Sequence, residues 1–253
     1  MSEVGSIETA TNARPRGAVA GGTLDQVRVL VVAGISTGVV VVGIGSRLAM
    51  LLLRLTSSDN VRGLKSDDGF IIGRVTLGGT YNLLNIGAAV GLIGACTYRL
   101  VAPWLIGPSW FRRCTIAAAA AAVAGSMLVH ARGVDFTALK PTWLAIGLFI
   151  ALPALFAAAI GVSVDRMARP TAWSAQGRRR WIVPLVLVLL FPMSVVFGAV
   201  VAAVVAISVR ARQLDQLQRV RTSTMYGLVV RGVWLSIAVL GLIAVVHDVT
   251  EIV

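Results

Sequence analysis

Eight side chains carry most of the chemistry this sequence offers. Asp67 and Asp68 stand together in Ser66-Asp67-Asp68-Gly69-Phe70, where paired carboxylates suit a hard cation or proton exchange. No further spaced oxygen ligands follow them and Asp-Gly favours a turn, so a solvated turn is the plainer reading. With His130 and Asp135 they form a candidate outer-face site for a weakly held metal or a proton. Arg47, Asn82, Asn85 and Arg99 lie inside apolar runs and are the candidates for lining a polar path. An arginine at mid-bilayer costs about 2.5–3.5 kcal/mol, so Arg47 must find a carboxylate, a carbonyl or the headgroups. Asn82 and Asn85, three apart on one helix face, serve interhelical hydrogen bonding as readily as a path.

The sequence holds no Walker lysine, nucleophile elbow, HExxH or Gly-rich dinucleotide loop. No catalytic, cofactor-binding or metal-ligating residue is therefore assigned with a defined role, and no cofactor is expected. His130 and His247 share an iron only if they reach the same membrane face. Cys96 and Cys114 differ in expected depth by about 10 Å, beyond disulfide reach, and read as small packing residues.

The chain that must position these groups is 253 residues long, 57% apolar and only 13% charged, with a mean hydropathy of +0.85. Ordinary soluble domains are about a quarter charged, so a soluble fold is excluded in favour of an all-α polytopic transmembrane helix bundle. Residues 1–24 are small, polar and Gly-rich and read as a disordered cytoplasmic tail; residues 25–253 read as one membrane domain with an extracytoplasmic loop at 55–80. Apolar runs at about Val27–Leu53, Tyr81–Ile106, Arg113–Val129, Trp143–Val164, Trp181–Val209 and Tyr226–Val246 predict six spans. Pro153, Pro184 and Pro192 predict kinks, and Ile71 to Leu77 a short extended segment. Trp104, Trp110, Trp143, Trp181 and Trp234 lie near run ends, where their rings suit the headgroup zone. Gly34/Gly38 and Gly87/Gly91, each pair four apart, and Ala117 to Ala122 predict close helix packing.

Charge makes the orientation a puzzle. Twenty-three Lys and Arg against eleven Asp and Glu give +12, and the basic residues cluster between the runs as topology signals do. Six spans divide the loop and tail cations ten against eleven, which decides nothing. If instead the fifth run, interrupted at Phe191-Pro192-Met193, re-enters as a hairpin over 181–209, the division becomes fifteen against six and the carboxyl end moves outside. That alternative requires the hairpin's turn to be buried in protein, where its backbone can be satisfied. Both versions leave the amino terminus cytoplasmic, with Arg112–Arg113 and Arg178–Arg180 facing anionic lipid headgroups. No nucleic-acid motif accompanies the charge, so nucleic acid is not an expected partner.

Gly45-Ser46-Arg47-Leu48-Ala49-Met50, Ser66-Asp67-Asp68-Gly69-Phe70, Pro103-Trp104-Leu105 and Leu128-Val129-His130 resemble uncharacterised multi-pass membrane proteins of high-GC Gram-positive bacteria, over about Val27 to Val164. The resemblance implies a bacterial plasma membrane and attaches no reaction. Glycine- and alanine-rich packing faces, sparse buried charge and small loops favour a non-enzymatic subunit or scaffold of a membrane assembly, with a membrane-protein partner or a second copy beside it. A small permease or channel using Arg47, Asn82, Asn85 and Arg99 is the alternative; a lipid-modifying or redox enzyme using the outer-face residues is the third reading.

Overall fold

The computed structural model describes residues 16–57, 76–102, 105, 108–128, 141–213 and 224–252. Among them 91% are helical and none lies in a strand. Helix α1 (Arg16–Thr37) passes through a π-helical segment (Gly38–Ile44) into α2 (Gly45–Thr56). Helices α3 (Leu77–Val101), α4 (Ser109–Leu128) and α5 (Thr142–Met167) follow. A 3-10 turn (Trp173–Ala175) leads to α6 (Arg179–Leu190), α7 (Met193–Gln213) and α8 (Thr224–Ile252). Among the described residues four stretches are long and apolar enough to cross a membrane: Leu24–Thr56, Leu77–Val101, Thr142–Met167 and Arg231–Thr250. Helix α1 opens at Arg16, inside the stretch expected as a tail, and α3 opens at Leu77, within the expected extended segment. Thr76 accounts for the latter start: its backbone is extended and its hydroxyl accepts the amide hydrogen bond of Gly79 at 3.1 Å, an N-cap.

The centre of the bundle is an antiparallel crossing of the first two long helices. A Cβ on Gly34 would stand 2.8 Å from the Gly91 carbonyl oxygen, and one on Gly38 would run into that of Gly87. The two glycine pairs therefore face each other, and backbones meet where side chains would hold them apart. The π segment belongs to the same contact. Its wider turn sets residues five apart on one face, so a Cβ on Gly87 would meet both the Gly38 carbonyl oxygen, at 2.7 Å, and the Gly43 nitrogen, at 2.9 Å.

Residue pairings fix the direction of every later helix. Gly94 abuts Phe156 while Tyr98, one turn on, meets Gly161 and bonds Asp165, numbers that rise together and set α5 parallel to α3. Arg113 pairs with Asp165 and Gly125 lies by Ile150, so α4 runs back against α5. Gly241 lies against Ala122 and Val245 against Gly125; both numbers rise together, so α8 runs parallel to α4 and starts on the side where α1 starts. Six alternating spans would make α8 antiparallel to α4, and the structure departs from that expectation.

The reason lies in the fifth run, which breaks at Phe191 and Pro192. Helix α6 begins on the α1-start side, where Arg180 pairs with Asp25 at 3.1 Å. If α7 continued α6 in the same direction, its end would lie about 50 Å away at 1.5 Å per residue. The eleven steps from Gln213 to Thr224 reach at most about 40 Å. Helix α7 therefore turns back and packs on α1 and α3, burying Val201 and Val205 in the same core as Leu30, Ile35 and Leu92. By contrast α5 continues through Pro153 and α6 through Pro184. Trp110, Trp143 and Trp181 lie in the first turns of α4, α5 and α6 and are exposed, as interfacial rings are.

The glycine crossing yields the first test. Gly38→Ala forces a Cβ against a backbone carbonyl and should cost about 1–3 kcal/mol of stability. Gly147→Ala, with open space around it, should stay within about 1 kcal/mol of the parent. Unfolding in mild detergent, followed by tryptophan fluorescence, separates the two; equal behaviour would remove the crossing as the organising contact.

Candidate functional site

Two polar clusters sit at the ends of the apolar core. On the α1-start side, Arg28 is only 5% exposed although it carries a permanent charge. It donates through Nε to Asp25 Oδ1 at 3.3 Å, through one terminal nitrogen to Ser174 Oγ at 2.8 Å, and through the other to the Met167 carbonyl at 3.3 Å. The guanidinium fork thus ties α1 to the end of α5 and to the 3-10 turn, and Asp25 extends the tie to Arg180 at the base of α6. A few residues away Tyr98 donates to Asp165 Oδ1 at 3.1 Å while Arg113 approaches Oδ2 at 3.5 Å, joining α3, α4 and α5. Nearer the middle, Thr37 donates to Ser163 Oγ at 2.8 Å.

The second cluster is the tip of the α6–α7 hairpin. Pro192 has no amide hydrogen, so the Val188 carbonyl loses its helical partner; Ser194, fully buried, turns its hydroxyl back toward it at 3.4 Å. Ser194 donates its own amide to Phe191, which leaves the Leu190 carbonyl without its helical donor, and the Tyr81 hydroxyl of α3 fills that role at 2.8 Å. One turn along α3, Asn85 donates through Nδ2 to the Tyr81 carbonyl at 3.0 Å. Asn85 is 4% exposed, and its Oδ1 has no hydrogen-bond partner among the described residues.

The sequence candidates do not converge. Asn82 and Arg99 are both exposed, and seventeen residues of α3 separate them, about 25 Å. Arg47 is half-buried on α2, which packs against α5 rather than α3. Asn85 lies one turn along α3 from Tyr81, the residue that bonds the hairpin tip. Asp67, Asp68, His130 and Asp135 lie outside the described residues. Among the described residues no group of three or more His, Cys, Asp or Glu stands close enough to hold a metal ion, and Cys96 and Cys114 are free thiols. No family model, curated protein or solved structure matches the chain. The site therefore stands on its own geometry.

Sequence reasoning passed over Arg28, Asp25 and Ser174 because the partners lie up to 146 positions apart. A signal was available in Asp25-x-x-Arg28, an acid and a base one helical turn apart at the start of an apolar run, where an ion pair is worth a structural explanation. Asp165, at the end of the fourth apolar run, carries no local signal that joins it to Tyr98 or Arg113.

The clamp predicts unequal substitutions. Arg28→Met removes the donors of the buried Ser174 hydroxyl oxygen and of the Met167 carbonyl and should cost about 1–3 kcal/mol. Asp25→Asn, at a side chain 45% exposed, should cost about 0–1 kcal/mol because solvent screens it. Thermal unfolding in detergent measures both, and an Arg28 variant as stable as the parent would remove the clamp.

Proposed function

We propose that this protein is a structural subunit of an assembly in a bacterial plasma membrane, crossing the bilayer five times, with the α6–α7 hairpin re-entering from the cytoplasmic side. The observation that carries the subunit reading is how the polar groups of the bundle are spent. Arg28 bonds Asp25, Ser174 and the Met167 carbonyl, Thr37 bonds Ser163 and Tyr98 bonds Asp165, while Asn82 and Arg99 stand at opposite ends of α3. Such groups join helices and leave no continuous path or reacting pair among the described residues. Helix α8 adds to this: it packs on α4, and its apolar span is 6% buried within the chain, against 61% for the first span. Its remaining faces are available to lipid or to a partner helix.

The topology rests on the helix directions and on charge. With α8 parallel to α4, the loops and tail on the α1-start side carry fifteen Lys and Arg and the far side six, the asymmetry the positive-inside rule asks of a cytoplasmic face. The hairpin tip also meets the backbone condition for re-entry through Tyr81 and Ser194. A small permease remains the second reading, favoured by one observation: a buried Asn85 Oδ1 without a partner among the described residues, one turn along α3 from the Tyr81 that bonds a broken helix, the kind of place where transporters bind solutes.

Reporter fusions decide the topology: fusions after Arg221 should read cytoplasmic and fusions after Val253 extracytoplasmic, whereas the reverse pattern restores six spans. Mild-detergent extraction with cross-linking decides the function. The subunit reading expects the chain in a larger complex that Arg47→Leu leaves intact. A lone monomer that moves solute in liposomes, with flux lost on Arg47→Leu, would replace it with the permease.

A further inference from the structure

The end of the bundle where α1 starts carries more positive charge than its own carboxylates answer. Asp25 is engaged by Arg28 and Arg180, and the two oxygens of Asp165 by Tyr98 and Arg113. Arg99, Arg112, Arg166, Arg169, Arg178 and Arg179 belong to the same end, and their guanidinium groups have no carboxylate partner among the described residues. Arg112 is half-buried and the other five are exposed. Like charges crowded on one rim repel each other until anions gather beside them.

Depth separates a lipid partner from a soluble one. Trp110 and Phe111 directly precede Arg112, Trp173 stands between Arg169 and Arg178, and Trp181 directly follows Arg180; all four rings are exposed. Such rings settle at the headgroup level, and a residue one helical turn away lies within about 5.4 Å of it. Arg99 and Arg166 directly follow Tyr98 and Asp165, which are joined to Arg113 near the start of α4 and so share that level. Arg28 keeps the rest of the rim in place: by holding Ser174 and the Met167 carbonyl, it ties the connection that bears Arg169 and Arg178 down against α1.

We propose that this rim is a binding surface for anionic phospholipid, with the guanidinium forks on the headgroup phosphates and the exposed rings among the glycerol groups beneath them. A planar fork meets two phosphate oxygens at once, and a negatively charged leaflet supplies the counter-charge that Asp25 and Asp165 do not. The lipid is then a ligand of the fold itself, required at the base of α6 whether or not a protein partner joins α8.

Lipid nanodiscs test this with the full chain, made either of phosphatidylcholine alone or of phosphatidylcholine mixed with phosphatidylglycerol. Phosphatidylglycerol should raise the thermal unfolding midpoint of the parent, read by tryptophan fluorescence, by about 4 °C or more. Arg178→Gln combined with Arg179→Gln changes exposed side chains and should lose most of that rise. In phosphatidylcholine alone the paired variant should unfold no earlier than the parent, because positive charge at the start of a helix is relieved. Arg54→Gln, in the last turn of α2 at the opposite end, should keep the full rise. A parent indifferent to phosphatidylglycerol, a rise lost equally with Arg54→Gln, or a paired variant that unfolds early in phosphatidylcholine overturns the lipid rim. Inorganic phosphate that reproduces the whole rise in phosphatidylcholine discs overturns lipid as the ligand in favour of a free anion.

Discussion

The close approach of two backbones at Gly34, Gly38, Gly87 and Gly91 is the contact on which the rest of the bundle depends. Inside a membrane there is no hydrophobic force pushing helices together, so association rests on packing and on short polar contacts. Backbone-to-backbone contact brings the largest number of atoms into range for the least side-chain ordering. The π segment is what lets the crossing extend: an ordinary helix would rotate Gly43 away from Gly87, whereas the wider turn keeps Gly38 and Gly43 on one line. Once α1 and α3 are fixed, Ile35, Leu92 and Ala95 become fully covered and form the floor on which α5 and α7 rest.

A second constraint, that no carbonyl in the membrane interior go without a donor, shapes the α6–α7 hairpin. Pro192 both ends a helix and deletes an amide hydrogen, and the neighbouring carbonyls are repaired one by one. Ser194 serves Val188 from within the hairpin; Tyr81 serves Leu190 from another helix. The second repair works only if the tip sits against α3, so hydrogen bonding fixes where along α3 the hairpin ends as well as that it turns. Arg28 and Asp25 hold its base. With tip and base both tied, the hairpin's legs need little contact with each other.

The helical class, the glycine pairs, the approximate helix extents and the break at Pro192 were legible in the sequence because each is local: a run of apolar residues, a spacing of four, a missing amide. Direction was not. Whether α8 runs up or down depends on Gly241 meeting Ala122, a contact between residues more than a hundred positions apart that no periodicity records. The charge count hinted at it by failing to decide under six spans, since Arg210, Arg212, Arg219 and Arg221 sat on the wrong side of an otherwise ordinary asymmetry. For the candidate site, Asn85 was visible as a polar residue in an apolar run, but the sequence paired it with Asn82, three residues earlier. Its structural neighbour is Tyr81, four residues away and on the face toward the hairpin, while Asn82 looks outward.

Burial falls steadily along the chain, from 61% of the first apolar span to 50%, 28% and finally 6% in the last. The early spans therefore set the core, and α8 is held by one seam. That seam is built from small residues: a Cβ on Gly241 would press on the Ala122 backbone at 2.9 Å, and Gly125 accommodates Val245 on one side and Ile150 on the other. Small residues on α4 thus serve two neighbours at once, which explains why the alanine run lies there and not in a peripheral helix. Because α8 owes so little to the remainder of the bundle, replacing its lipid neighbours with another apolar helix would disturb none of the contacts that hold α1, α3 and α5 together. A helix so attached can gain a partner without reorganising the core, and the physical basis for the subunit reading lies in that asymmetry.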